Sequence, residues 1–256
     1  MIQAELRNKL GGDFSRATPR SEDLLTSSFF GLLGYLPESA FNVCFTDVLW
    51  FSDAEPKGTL DPFWPPATPE AWKYKFWKWL PRVGVDPPGE IDLLLEGRSL
   101  NLGIEVKYDS ILDITEDNNQ LVRYWRALGE YPRSFRLLYL TKDLQPPVEE
   151  IVDALTKGRA YGIEVGWISW TTLHKVLKNQ IASAAFSGWQ EPIAKDLIAL
   201  LESRDLVSLR PFPPIAPELS ELGSIPGQWF RSGFRIKFNW PPQAALPALR
   251  AASHWY

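Results

Sequence analysis

Glu90 to Lys107 reads EIDLLLEGRSLNLGIEVK, and this stretch decides the fold. Two apolar runs, Ile91 to Leu95 and Leu100 to Val106, flank Gly97-Arg98-Ser99, the pattern of a β-hairpin with turn residues between its strands. If Arg98 and Ser99 form a two-residue loop, Asp92 faces Glu105 across the ladder; a three-residue loop makes the two diagonal neighbours. Side chains alternate along a strand, so Ile91, Leu93, Leu95, Leu102, Ile104 and Val106 share one apolar face. The other face carries Asp92, Leu94, Glu96, Asn101, Gly103, Glu105 and Lys107, and a slip of one residue would spoil both faces at once.

Two carboxylates opposed on a ladder hold their Cβ atoms roughly 4.5–5.5 Å apart and repel each other. Lys107, two residues along the same face, compensates them as a plain ion pair, whereas a hard divalent cation bound by both carboxylates does so more fully. An acid-x-Lys string by itself is common and most often a surface ion cluster. The opposed Asp92 and the apolar rear face favour a metal-binding set of the kind that hydrolyses phosphodiesters.

Asp92 on one strand and Glu105-Val106-Lys107 on the next resemble the PD-(D/E)xK superfamily, the restriction-endonuclease-like nucleases. The resemblance implies an α/β fold in which a mixed β-sheet is flanked by helices around a restriction endonuclease-like core. It also implies a Mg²⁺- or Mn²⁺-dependent deoxyribonuclease acting on DNA. In that reading Asp92, Glu105 and the backbone carbonyl of Val106 hold the ion, and Lys107 positions water or steadies the pentavalent charge. The family's Pro before the first acid is absent here, because Ile91 holds that position and the nearest prolines are Pro87 and Pro88; no catalytic role is touched.

Two flanking features extend the resemblance. In many members a helix ahead of the sheet brings a Glu over the metal, and Glu22, at the start of the helical run from Leu24 to Leu36 that Pro37 closes, is the matching residue. Its ordinary role is a favourable charge in a first helical turn. Gln120 and Tyr124, four residues apart on one helix face, resemble an exonuclease-like branch in which Gln and Tyr sit beside the catalytic centre and help hold substrate. Arg123 and Arg126 on the same helix are candidate phosphate contacts or ordinary solvated charges.

The remaining elements are read from periodicity. A helix is expected over Ile114 to Leu128, with Leu121, Trp125 and Leu128 as its stripe and Gly129 as its stop. A strand over Phe135 to Thr141, a helix over Val148 to Leu155, a strand over Ile163 to Trp170, a helix to Leu177 and a last helix from Gln190 to Leu201 follow. Strand, helix, strand after the hairpin demands right-handed crossovers. His174 has no Cys or His nearby and is not read as a metal ligand. Asn42 to Pro88 reads as irregular, with an edge strand in the run Val43 to Phe51 and then an insertion.

In that insertion, Ala71 to Arg82 interleaves Trp72, Tyr74, Phe76, Trp77 and Trp79 with Lys73, Lys75, Lys78 and Arg82. Lys75 and Lys78 are candidate substrate contacts in a groove where bases stack and cations meet phosphates. An amphipathic strand or helix with solvated lysines is the simpler reading. The chain thus divides into a nuclease-like domain over 1–209, with a Trp- and Pro-rich insertion at about 52–88, and a Pro-rich arm over 210–256. In that arm WFRSGFRIKF, from Trp229 to Phe238, suits one hairpin.

Composition bounds the rest. With 256 residues, 45% of them hydrophobic, a substantial core is available. The single cysteine, Cys44, excludes an intramolecular disulfide framework and a Cys-based zinc cluster, and fits a reducing compartment. No secretory pattern or membrane-length apolar run is present, so a soluble cytoplasmic protein is expected. The net charge of −4 argues against a general nucleic-acid coat protein but leaves room for a local basic rim around an acidic metal site. The competing reading is a catalytically silent nucleic-acid-binding or assembly module of the same fold. A partner protein supplying specificity, in host defence or DNA processing, is compatible with either.

Overall fold

The computed structural model describes residues 22–52, 55–58, 71–84, 86–108, 112, 114, 119–158 and 162–207, all within the first of two compact units, Met1–Ser208 and Leu209–Tyr256. The expected Pro-rich arm with its hairpin, and the loops around Asp61-Pro62 and Trp64-Pro65-Pro66, lie outside the described residues. The fold is α/β. Strands β1 (Leu49–Ser52), β2 (Glu55–Gly58), β3 (Lys73–Leu80), β4 (Gly89–Glu96), β5 (Leu100–Lys107), β6 (Ser134–Thr141) and β7 (Glu164–Ser169) form one mixed sheet in the order β2-β1-β7-β6-β5-β4-β3. Strands β5, β6 and β7 run parallel, and the other pairings are antiparallel.

Helices cover both faces. On one face α1 (Glu22–Leu33), α2 (Glu38–Cys44), α5 (Trp170–Ala182) and α6 (Gln190–Glu202) bury Leu25, Phe29, Phe41, Trp170, Leu173 and Leu197 against Leu93, Leu95, Leu102, Ile104 and Val106. On the other, α3 (Gln120–Gly129) and α4 (Val148–Lys157) bury Leu121, Tyr124, Leu128, Ile151 and Leu155 against Leu94, Leu137, Tyr139 and Val165. Parallel strands need crossovers, and α4 between β6 and β7 supplies one. No helix among the described residues is long and apolar enough to cross a membrane.

Several boundaries differ from expectation for local reasons. The helix expected from Ile114 begins at Gln120, because the Asn119 side chain accepts the Val122 N–H at 3.1 Å and caps it, while Ile114 makes a β-bridge to Asn119. Pro37 does close the first helical segment, but it then stands as the N-cap of α2, which buries Ala40, Phe41 and Cys44. Among its described residues, the stretch Asn42 to Pro88 expected to be irregular holds the end of α2 and strands β1, β2 and β3, and the strand expected at the sheet edge, β1, is covered there by β2. The aromatic cluster forms edge strand β3. Phe76 and Trp77 are buried, Trp72 and Tyr74 pack against the core, and Trp79 alone among the five stays out, at 61% exposure. Core packing has claimed the rings that a base-stacking groove would need.

The central hairpin has the two-residue loop: Glu96 pairs with Asn101, Leu93 pairs with Ile104, and the Gly97 N–H donates to Leu100 O at 2.9 Å. Its rear face departs from expectation at one residue. Leu93 and Leu95 pack with the α1 side, but Ile91 packs with the α3 side. The same switch occurs on the neighbouring strand, where Phe76 and Trp77 both face the α1 side and Leu80 faces the α3 side. The β3–β4 register is constant, with every rung from Lys73–Glu96 to Leu80–Gly89 present except Trp77–Asp92. Trp77 there has φ 48°, a left-handed value that costs a bulky residue roughly 1–2 kcal/mol. Both strands thus exchange faces at one missing rung.

Gly103 of β5 is required by close approach, since a Cβ there would lie 2.7 Å from Leu128 Cδ1 and 2.8 Å from Ile91 Cδ1. Gly103→Ala should destabilise the fold by about 1–3 kcal/mol through overpacking between β5 and α3. Denaturant unfolding followed by tryptophan fluorescence measures it, and an unchanged midpoint would show that α3 yields freely.

Candidate active site

The site lies at the C-terminal ends of the parallel strands, where open α/β sheets characteristically receive ligands. Glu105 and Lys107 end β5, and Asp92 reaches them from the break in β4. Because the ladder stops at Leu93–Ile104, the Val106 N–H is available to a side chain, and it donates to Asp92 Oδ2 at 2.8 Å. Glu105 is 1% exposed, and its Oε1 accepts from Lys107 Nζ at 2.7 Å. Its second oxygen, Oε2, is buried and receives no N–H or hydroxyl; the Asp92 carboxyl lies within hydrogen-bonding reach of Glu105, but two ionised acids offer each other no proton.

The first turn of α1 closes over this centre. Glu22 Oε2 accepts the Tyr108 N–H at 2.7 Å, and Asp23 Oδ1 accepts the Trp77 indole N–H at 2.8 Å. Adjacent acids therefore tie down β5 just beyond Lys107 and β3 at the face exchange. Sequence reasoning singled out Glu22, missed Asp23, and read Trp77 only as one ring of the aromatic cluster. The Asp23 signal, a second acid in the same helical turn, was visible; a left-handed Trp has none.

Electrostatics follow from crowding three acids around one lysine. Burial, then the charges of Glu105 and Glu22, hold the Asp92 carboxyl well above the usual range, against the pull of the Val106 N–H and Lys107. Burial likewise pushes Glu105 up to about 7, although Lys107 draws it down. Burial works to lower Lys107, but Glu105, Asp92 and Glu22 outweigh it and raise the ammonium, so Lys107 remains cationic. The centre as built carries a deficit of positive charge.

No family model, no curated protein and no solved structure matches this chain. The site is therefore judged on its own chemistry. Hard carboxylate oxygens, one of them buried and without a donor, crowded so that ionisation is disfavoured, suit a divalent cation. Among the described residues no three His, Cys, Asp or Glu side chains gather closely enough to hold an ion by themselves.

The remaining candidates divide. Tyr124 is buried against Glu105's side of the sheet; its hydroxyl donates to Glu90 O at 2.7 Å and accepts from Gln120 Nε2 at 3.2 Å. Burial and then the Glu105 charge push Tyr124 up to about 12. This pair buttresses β4 two residues before Asp92. Arg123 lies over the Tyr124 ring at 5.3 Å, and with Tyr124 it crowds Gly89. Arg126 instead pairs with Asp86 at 2.9 Å. Lys78 stands on edge strand β3 opposite Ile91, beside the break, whereas Lys75 does not join the centre: it is ion-paired with Glu96 at the turn end of the hairpin. His174 is buried and meets Glu202 Oε1 at 3.2 Å, a contact between α5 and α6.

Tyr139 and Glu150 escaped the sequence reading. Tyr139 pairs with Glu105 in the β5–β6 ladder and donates its hydroxyl to Glu150 Oε2 at 3.1 Å, so neither neighbouring tyrosine satisfies Glu105 Oε2. Only the parallel pairing brings these residues beside the site.

The pKa directions give a stability prediction. A carboxyl whose folded pKa is raised contributes stability fully present below its unfolded pKa and lost as pH rises through the folded value, here from about 4.5 to about 7 for Glu105. In EDTA the protein should thus gain stability on acidification from pH ~8 to ~5. Glu105→Gln should flatten that slope and raise Tm at pH ~8 by roughly 5 °C. Thermal melts across pH check it, and parallel curves for the two proteins would contradict the assigned strain.

Proposed function

We propose that the protein is a metal-dependent nuclease that hydrolyses DNA phosphodiester bonds, with a restriction endonuclease-like arrangement of its centre. One observation carries this reading: Asp92 and Glu105 converge at a deliberate break in the sheet, with Lys107 2.7 Å from Glu105 and Glu105 Oε2 left without a donor. A buried unsatisfied carboxylate oxygen costs stability, and a site that binds a cation there recovers it.

Asp92 and Glu105, with the carbonyl of Val106, are the residues to hold Mg²⁺ or Mn²⁺. When bound, the ion neutralises phosphate charge and lowers the pKa of water in its coordination shell. Glu22 acts on this set from behind, fixing Tyr108 and adding negative field. Lys107 keeps its proton on Nζ, so its part is to donate a hydrogen bond to the attacking water or a phosphate oxygen and to stabilise developing negative charge. It is an unsuitable general base. Gln120 and Arg123 on α3 and Lys78 on β3 are the groups to steady the strand, while buried Tyr124 supports the site by holding β4 through Glu90 O. Lys75 is committed to Glu96 and takes no part.

Replacing Asp92, Glu105 or Lys107 with Ala should each lower Mg²⁺- or Mn²⁺-dependent DNA cleavage by at least ~10³-fold. Mg²⁺ should raise the Tm of the wild type and leave Asp92→Ala unmoved. Gel assays on linear, circular and single-stranded DNA with EDTA controls, together with melts, provide both measurements; undiminished cleavage by all three variants would sink the reading. Gln120→Ala and Tyr124→Phe should reduce cleavage less, by about tenfold.

A further inference from the structure

A hydrogen bond from the first turn of α1 stands behind the face exchange in the sheet. Successive side chains of a regular strand alternate, so with Phe76 on the α1 face Trp77 would point toward α3. Its φ of 48° instead leaves the ring buried on the α1 face beside Phe76, with ring centroids 5.6 Å apart. On that face the indole N–H reaches α1, where Asp23 Oδ1 accepts it at 2.8 Å. A glycine would take this φ without strain, so the value of a tryptophan here lies in its side chain. An acid in a first helical turn also favours the helix dipole, but that role needs neither a partner on β3 nor a left-handed residue there.

Asp92 is the residue on which this tie bears. The rungs Phe76–Leu93 and Lys78–Ile91 are both present, so Trp77 and Asp92 stand opposite each other at the rung that is missing. The alternation of β4 changes at the same point, with Leu93 on the α1 face and Ile91 on the α3 face. On the other side of β4 the ladder to β5 ends at Leu93–Ile104. Asp92 is thus unpaired toward both neighbouring strands, and its Oδ2 takes the Val106 N–H at 2.8 Å. A Trp77 returned to regular alternation would close the β3–β4 rung and draw Asp92 back into it.

We propose that Asp23 is a positioning residue for the metal site: by holding the Trp77 indole on the α1 face it keeps the β3–β4 rung open and Asp92 aimed at the Val106 N–H. This deepens the nuclease reading and rests on it for the identity of the ion that Asp92 serves. Glu22, the preceding residue, holds the chain just past β5 through the Tyr108 N–H. One helical turn therefore steadies the strand of Glu105 directly and that of Asp92 by way of β3.

The test is hydrogen exchange of the Val106 amide, read by NMR on the isotope-labelled full chain in EDTA, with the Leu138 and Leu140 amides of interior strand β6 reporting global opening. Asp23→Ala and Trp77→Phe should each speed Val106 exchange about tenfold relative to those amides, the size of one hydrogen bond. Asp23→Asn keeps the acceptor and drops the charge, and should exchange as the wild type does. The double variant Asp23→Ala/Trp77→Phe should go no further than either single one. Calorimetric Mn²⁺ binding without DNA should weaken in the same pattern, by about tenfold. Unchanged relative exchange at Val106 in Asp23→Ala or Trp77→Phe overturns the positioning role. So does an Asp23→Asn that behaves like Asp23→Ala, which would leave only the helix charge. The nuclease reading fails separately: wild-type Mn²⁺ affinity in Asp92→Ala removes it, whereas the exchange pattern, measured without metal, still decides whether Asp23 aims Asp92.

Discussion

The missing rung between Trp77 and Asp92 is the constraint on which the site depends. A regular ladder would consume the Val106 N–H in backbone pairing and hold Asp92 in strict alternation. The β4–β5 ladder ends at Leu93–Ile104, which leaves that N–H to Asp92 Oδ2, and at the missing β3–β4 rung beside it Ile91 turns toward α3 while Leu93 stays with α1. The left-handed Trp77 is the local cost of the break, and the Asp23 carboxylate on its indole N–H, together with core burial, offsets it. The strain therefore sits beside Asp92, one of the two carboxylates on which the proposed metal site rests.

Around this break the fold concentrates negative charge and limits its neutralisation. Tyr124 and Tyr139 flank Glu105, yet each sends its hydroxyl proton elsewhere, to Glu90 O and to Glu150. Lys107 satisfies one oxygen of Glu105 and leaves the other without a donor. Burial then makes the deficit costly, since the same carboxylates in water would simply be solvated. An unsatisfied pair of this kind is poor design for stability alone, and it is sensible in a centre that completes itself with a ligand.

Much of the fold was legible because its strongest signals are local. The hairpin was readable to its register from the alternation of Leu93, Leu95, Leu102, Ile104 and Val106 and from a turn that admits two residues. The strands Ser134–Thr141 and Glu164–Ser169 and the helices Val148–Lys157 and Gln190–Glu202 came from runs long enough to show their period. The failures were equally physical. Lys73–Leu80 mixes aromatics with lysines because an edge strand needs charge on its open side, which mimics a nucleic-acid-binding pattern. The helix start was misplaced because one cap, Asn119, outweighs the five preceding residues of compatible composition.

By itself the sequence determined the hairpin register and that Glu105 and Lys107 share a face of β5, since side-chain direction in a strand follows from parity; that Asp92 leaves the alternation to meet the Val106 N–H was decided by the face exchange at the missing rung. It determined too that Gln120 and Tyr124 ride one helix face behind them. The tertiary structure decided what surrounds them: Glu22 on Tyr108, Asp23 on Trp77, Tyr139 beside Glu105, and Arg204 beyond Tyr108. Each of these pairings joins residues that no local periodicity relates. They come together only when sheet order and helix packing are fixed, and so does the desolvation that gives the carboxylates their unusual proton affinity.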